Sequence, residues 1–235
     1  AGPRASLAGR ESAPTAAAHA IAAAHMTAAA AARPRDLKRE IDAYRAREGE
    51  LRIVEVPRLT TLAIDGHGDP NATERFGIAV GALFPLAYAL KQMARAEGRD
   101  FVVMPLEGLW WADDMASFTA ERDKTRWRWT LLIVVPEHVD DAAFEAARER
   151  VAARRDAPAL GDVRLERLDE GRCMQTLHVG AFDDEAAVLE HMHDVAIPAS
   201  GHRMTGRHHE IYLSDARRTP PERRRTILRQ PIGPA

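Results

Sequence analysis

Cysteine is almost absent: Cys173 is the one example in 235 residues. A lone thiol excludes an internal disulfide and supplies no cysteine cage for zinc or an iron–sulfur cluster, so a reducing, cytoplasmic setting is expected. An excess of either charge is missing too, because 33 Lys and Arg face 35 Asp and Glu, for a formal charge of −2. That balance excludes the strongly basic surface of a protein working on nucleic acid or an anionic membrane. No apolar run is expected to reach the length of a membrane span. Neither a G-x-x-x-x-G-K-[ST] phosphate loop nor an H-E-x-x-H zinc motif occurs, and Ser117 and Ser214 lack a nucleophile-elbow setting. Histidine is plentiful, with ten copies. Yet His191 and His193 diverge on an expected helix, and His208 and His209 diverge on an expected strand, so no metal and no cofactor is expected.

What is present begins unevenly. Sixteen of residues 1–32 are Ala, with Leu7, Ile21 and Met26 as the large apolar side chains. Such a stretch has little with which to build a core, and residues 1–34 are expected to form a disordered extension. Arg4 and Arg10 suggest a signal peptide, but Glu11, Ser12 and Pro14 interrupt the apolar run that export requires. Residues 35–235 are expected to form one domain. Asp36 is a helix N-cap in front of Leu37, Ile41 and Tyr44 at helical spacing. Strands are expected at 51–57, 59–66, 101–111 and 127–135, with a long amphipathic helix over 73–97, bent at Pro85. A charged loop is expected over 112–126. A polar helix over 140–155 precedes a second series: strands at 163–168 and 173–179, a helix over 183–195, and strands at 208–213 and 226–229.

Omitting the strand at 163–168, both series read β-α-β-β. The expected fold class is therefore α+β, with two pseudo-symmetric β-α-β-β halves whose antiparallel sheets surround a central ligand cleft. In this expectation the helices cover one face and the cleft opens on the other. Alternation on 208–213 sends Ile211 and Leu213 to one side and Glu210 with Tyr212 to the other, facing either solvent or the cleft. In the cleft, a carboxylate among rings would be a stronger base or a stronger attractor of cations. Adjacent Trp110 and Trp111 must face opposite ways, and spacing does not decide which lines the cavity. Glu107 shares parity with Trp111 and makes a second carboxylate–aromatic pair. His209 is a candidate for orienting polar groups nearby. The arginine-rich tail at 215–231 contains prolines, Asp215 and Glu222, and is expected to be a solvated loop leading to the last strand.

Several ordered segments carry a resemblance: Met104 to Trp111, Trp127 to Leu131, Gly171 to Gln175 with His178 to Gly180, and Gly206 to Asp215 through Thr226 to Pro231. Together they resemble the stand-alone GyrI-like small-molecule-binding family over about residues 36–233. The resemblance implies two β-α-β-β halves around a ligand cavity. Related domains sense drugs through a buried Glu among aromatics, and some stand-alone members resemble hydrolases that open the strained cyclopropane of DNA-alkylating natural products. By resemblance, Glu210 matches the cavity glutamate, while Tyr212 with Trp110 or Trp111 matches the walls. Glu210 would then activate water while Tyr212 positions the substrate. The family often has Gly-Pro-Tyr where this chain has Gly180-Ala181-Phe182. Ala-rich residues 1–32 are not expected to supply a packed helix-turn-helix, so a self-contained DNA-binding regulator is disfavoured. The expected partner is an aromatic or planar small molecule, with no direct nucleic-acid or membrane partner. The oligomeric state is left open. The alternatives are a hydrolase, a non-catalytic module capturing aromatic or cationic ligands, and a protein-interaction factor.

Overall fold

The structure, a computed structural model, describes residues 33–113 and 123–235. Residues 1–32 of the expected extension and 114–122 of the expected charged loop lie outside the described residues. From Pro34 onward the chain forms a single compact unit. It opens with α1 (Leu37–Glu40), capped as expected by the Asp36 side chain on the Lys38 amide, and a 3₁₀ turn at Asp42–Tyr44. Leu37 and Tyr44 are buried and dock this segment on the core.

The first half consists of β2 (Leu59–His67), α2 (Glu74–Ala96), β3 (Glu107–Trp111) and β4 (Arg128–Val135), preceded by β1 (Arg52–Val56). After α3 (Asp141–Ala152) and β5 (Arg164–Leu168), the second half follows. It contains β6 (Gly171–Val179), α4 (Ala186–Glu190), a π-helical turn (His191–Ala196) and α5 (Ile197–Ala199). β7 (His202–Met204), β8 (His208–Tyr212) and β9 (Arg225–Pro234) complete it. Caps fix two of the helix starts, since Thr73 accepts from the Arg75 amide and Asp140 from the Ala143 amide. Pro85 lies inside α2, which continues through it to Ala96.

One curled antiparallel sheet runs β1-β6-β9-β8-β3-β4-β2-β5, with β7 added alongside β9. The triplet β6-β9-β8 mirrors β2-β4-β3, and the two meet where β8 pairs with β3. The repeat in element order is thus also a pseudo-twofold in the sheet. β1 precedes the first half but pairs with β6 of the second, and β5 precedes the second half but pairs with β2 of the first. Each half is therefore edged by the strand that leads into the other.

α2 packs on β2 and β4 and against α3. Met192 and Ile197 pack with Met174 of β6 and Leu228 of β9 in the second half. By length and mean hydropathy, α2 is apolar enough to cross a membrane, contrary to the expectation that no segment would be. In the fold part of that apolarity is internal, with Leu83, Leu86 and Leu90 within the core, and part faces the cleft through Phe76, Val80 and Phe84. Two strand boundaries also differ from expectation. β3 starts only at Glu107, after Pro105 interrupts the ladder, and β9 runs on to Pro234 despite Pro231.

Candidate functional site

β3 and β8 pair in antiparallel register at the pseudo-twofold, with Gly108 opposite Glu210 and Trp110 opposite His208. Partners in register point to the same face, so Gly108, Trp110, His208, Glu210 and Tyr212 share one side of the sheet. The Tyr212 hydroxyl donates to Glu210 Oε2 at 2.7 Å and accepts from Trp110 Nε1 at 3.1 Å. Gly108 makes room for this chain, because a Cβ there would stand 2.7 Å from Trp110 Nε1. These three side chains form the floor of a cleft of about 1700 Å³.

The walls come from the helices. Phe76 on α2 stacks on Trp110 with ring centroids 6.5 Å apart, and Trp127 meets the edge of the same indole at 5.9 Å. Across the cleft, Phe182 meets Tyr212 at 5.6 Å. The expected position of the cleft is corrected here: it opens on the face that carries the helices, between α2 and the 182–199 helical run. The opposite face is not available, since residues 43 and 44 close over it through hydrogen bonds from Tyr44 and to the Ala43 carbonyl.

Electrostatics within the cleft follow from burial. The Glu210 side chain is 13% exposed. Burial, and then the adjacent Glu210 charge with its hydrogen bond, raise the Tyr212 pKa well above the usual phenol value, so this hydroxyl stays a donor. His193, presented by the π-helical turn, is pushed down to about 4 by burial and then by His208, and is neutral near pH 7. His208 in turn places Nε2 3.6 Å from Glu210 Oε1.

Three of the residues singled out in the sequence are not in the cleft. Glu107, Trp111 and His209 share the opposite parity and point to the far face. There Glu107 accepts from Tyr44 Oη at 2.6 Å and pairs with His209 Nε2 at 3.0 Å. His209 Nδ1 lies 3.0 Å from Glu170, which also receives Arg229 Nη1 at 3.2 Å. Burial would raise Glu170, but His209 and Arg229 draw it down to about 2. Burial would likewise lower His209, but Glu170 and Glu107 raise it, so its charged form is favoured between the two carboxyl groups. Glu107 and His209 thus belong to a closed polar core. Trp111 serves as a platform for Arg207, whose guanidinium lies 4.8 Å from its ring. Cys173 is buried, and burial followed by Glu170 pushes its thiol up to about 12.

Sequence reasoning missed Phe76, Phe84, Phe182, Glu185 and His193, all of which line the cleft. Phe76 and Phe84 fall on the apolar stripe of the helix expected over 73–97, whose period is the same whether the stripe fills a core or faces a cleft. Phe182 had a local signal, since it stands where the resembling family often has Tyr, and it keeps the ring. Among the described residues no group of three or more His, Cys, Asp or Glu side chains is arranged to hold a metal ion.

Comparison with known proteins agrees with this geometry. Residues 49–232 match the family model described as a GyrI-like small molecule binding domain. A conserved protein from Listeria innocua is 36% identical, with a TM-score of 0.77, and the match covers 85% of this chain and 100% of that one. A hydrolase from the same organism is 35% identical, with a TM-score of 0.73 over 85% of this chain and 100% of its own. A further Listeria innocua hydrolase is 34% identical, with a TM-score of 0.76 over 86% and 100%. No curated protein matches the chain significantly.

Proposed function

The chain belongs to the GyrI-like small-molecule-binding domain family, and on that premise we propose that it is a cytoplasmic detoxification enzyme hydrolysing planar xenobiotics that carry a strained cyclopropane. The observation that carries this reading is the Trp110–Tyr212–Glu210 chain on the cleft floor. Similarity to two Listeria innocua hydrolases supports the choice of a hydrolytic reaction.

In this mechanism the ligand plane lies among the rings of Phe76, Trp110 and Tyr212. Tyr212 occupies one carboxylate oxygen of Glu210 as a donor, leaving Oε1 to take a proton from water. The water oxygen bonds to the cyclopropyl carbon while the strained carbon–carbon bond breaks. Its electron pair flows into the ligand's conjugated carbonyl, which ends as a hydroxyl on receiving the proton held by Glu210. Atoms balance as ligand plus one water.

Incubation with a planar cyclopropane-containing alkylator in isotopically heavy-oxygen water, followed by mass spectrometry, tests this reaction. A hydrated product labelled at the former ring carbon supports it, and intact ligand after saturable binding contradicts it. That second outcome describes the alternative reading, a module that captures aromatic or cationic ligands without chemistry. The reading is favoured by Glu185 and Glu210 lying in the same ring-lined cleft.

A further inference from the structure

Four aromatic side chains in the cleft form a connected row. Trp127 meets Trp110 at 5.9 Å, Trp110 donates to the Tyr212 hydroxyl, and Tyr212 meets Phe182 at 5.6 Å. An ion pair ties the two ends of this row together. Lys124 Nζ lies 5.8 Å from the centre of the Trp127 ring and donates at 3.0 Å to Oδ1 of Asp183, the residue after Phe182. The contacts therefore close a circuit, and both members of the pair line the cleft. The row is bent, so one ammonium group stands near both of its ends.

The pair is unequal. The Asp183 side chain is 80% exposed, whereas that of Lys124 is 24% exposed and sheltered against Trp127. Water weakens the hold of Asp183 on the ammonium, and Asp183 uses one of its three N–H groups. A second cation touches the row, but Arg224, 5.2 Å from the Phe182 ring, already donates Nε and Nη2 to the Thr219 and Ala216 carbonyls. Lys124 is the better placed of the two to turn an N–H toward a ligand.

The hydrolysis proposed above creates a need for positive charge. As Glu210 takes a proton from water it loses its charge, while the electron pair of the breaking carbon–carbon bond places a negative charge on the ligand's carbonyl oxygen. Charge is thus moved along the conjugated ligand, away from Glu210. A second carboxyl group, that of Glu185, lines the same cleft and does nothing to favour its arrival. A charged N–H donor fixed at the receiving oxygen does.

We infer that Lys124 is a further catalytic residue, whose ammonium donates a hydrogen bond to the carbonyl oxygen of a ligand held against Trp110 and Tyr212 and stabilises the oxyanion formed there. Lys124 keeps its proton, and the product hydroxyl still receives the proton held by Glu210. This role rests on the hydrolytic reading above and supplies the group that receives the displaced charge. Lys124→Met keeps a stem against Trp127 and removes the charge, and the exposed Asp183 carboxylate that loses its partner stays in water.

Two measurements test the role. With a planar cyclopropane-containing alkylator, Lys124→Met should form hydrated product about tenfold or more slowly than the wild-type protein, with dissociation constants within a few fold of each other. Umbelliferone, a planar phenol whose neutral and ionised forms absorb at different wavelengths, stands in for the oxygen that gains charge. Bound to the wild-type protein, its acid dissociation constant should be about fivefold larger than when bound to Lys124→Met, while its methyl ether binds both proteins equally. Equal hydration rates in the two proteins, equal ionisation of bound umbelliferone, or failure of umbelliferone to bind at all overturns the role of Lys124 and leaves the hydrolytic reading standing. Absence of hydrated product from the wild-type protein overturns that reading and the role together.

Discussion

Gly108 and Glu210 face each other across the β3–β8 pair, and the side chain that Gly108 lacks is replaced by the Trp110 indole, which reaches over it to Tyr212. A Cβ at position 108 would lie 2.7 Å from Trp110 Nε1 and 3.2 Å from Tyr212 Oη. Gly108→Ala should therefore break the Trp110–Tyr212 hydrogen bond and cost about 1–3 kcal/mol through overpacking. Chemical denaturation measures the cost. Tryptophan emission, read on the folded protein, reports the displaced indole; an unchanged spectrum and unchanged stability would contradict the packing described here.

Tyr212→Phe keeps the ring that meets Phe182 and removes only the hydroxyl. Because that hydroxyl both donates to Glu210 and accepts from Trp110, two buried polar groups lose a partner. A stability loss of about 1–3 kcal/mol is expected, together with weaker binding of planar ligands. Calorimetric titration of a planar aromatic ligand checks the second effect, and wild-type affinity would show that the hydroxyl does not shape the cleft.

Gly66 lies directly beneath the Trp129 ring, which occupies the space a Cβ would need. Gly66→Ala should destabilise the fold by at least about 1–3 kcal/mol, read as a lower denaturation midpoint. Trp129 is the buried neighbour of Phe76, with ring centroids 5.5 Å apart. The same change should therefore disturb the cleft wall.

The far-face network sets an expected pH profile. Glu170, ordinarily at 4.5 and held at about 2 in the fold, contributes stability that is complete above pH 4.5 and is lost as pH falls toward 2. His209 is raised above 6.5, so its contribution is complete below pH 6.5 and is lost as pH rises through the raised folded value. His193, ordinarily at 6.5 and pushed down to about 4, adds a separate loss as pH falls from 6.5. Melting temperature against pH should decline on the alkaline side in the wild-type protein and flatten there in His209→Gln. Identical alkaline slopes would exclude a charged His209. Glu170→Gln removes the carboxylate shared by Arg229 and His209, leaving Glu107 as the remaining acidic partner of His209, and should cost about 3–5 kcal/mol.

Much of this architecture was legible in the chain because period and punctuation speak directly. Alternation on 208–212 separated Glu210 and Tyr212 from Ile211, and the two β-α-β-β series are visible as repeated order. The sheet, however, is a single one, since pairing of β3 with β8 joins residues about a hundred positions apart and leaves no local mark. Parity alone placed Glu107 with Trp111 and Trp110 with Gly108, but which parity faces the cleft depends on where α2 packs. That is why Glu107 and His209 read as cleft candidates although their carboxyl and imidazole groups close a buried network with Tyr44, Glu170 and Arg229. The helix-borne walls were hidden for a similar reason: a stripe that lines a cleft has the same 3.6-residue period as a stripe that fills a core.

Side-by-side measurement of binding and turnover of one planar cyclopropane-containing alkylator by the wild-type protein and Glu210→Gln probes the cleft floor most directly. Glutamine keeps the shape of Glu210 and removes its capacity to take a proton from water. Dissociation constants within a few fold of each other, with hydrated product formed about a hundredfold or more slowly by the variant, are the predicted result. Equal rates of hydration in the two proteins would contradict it.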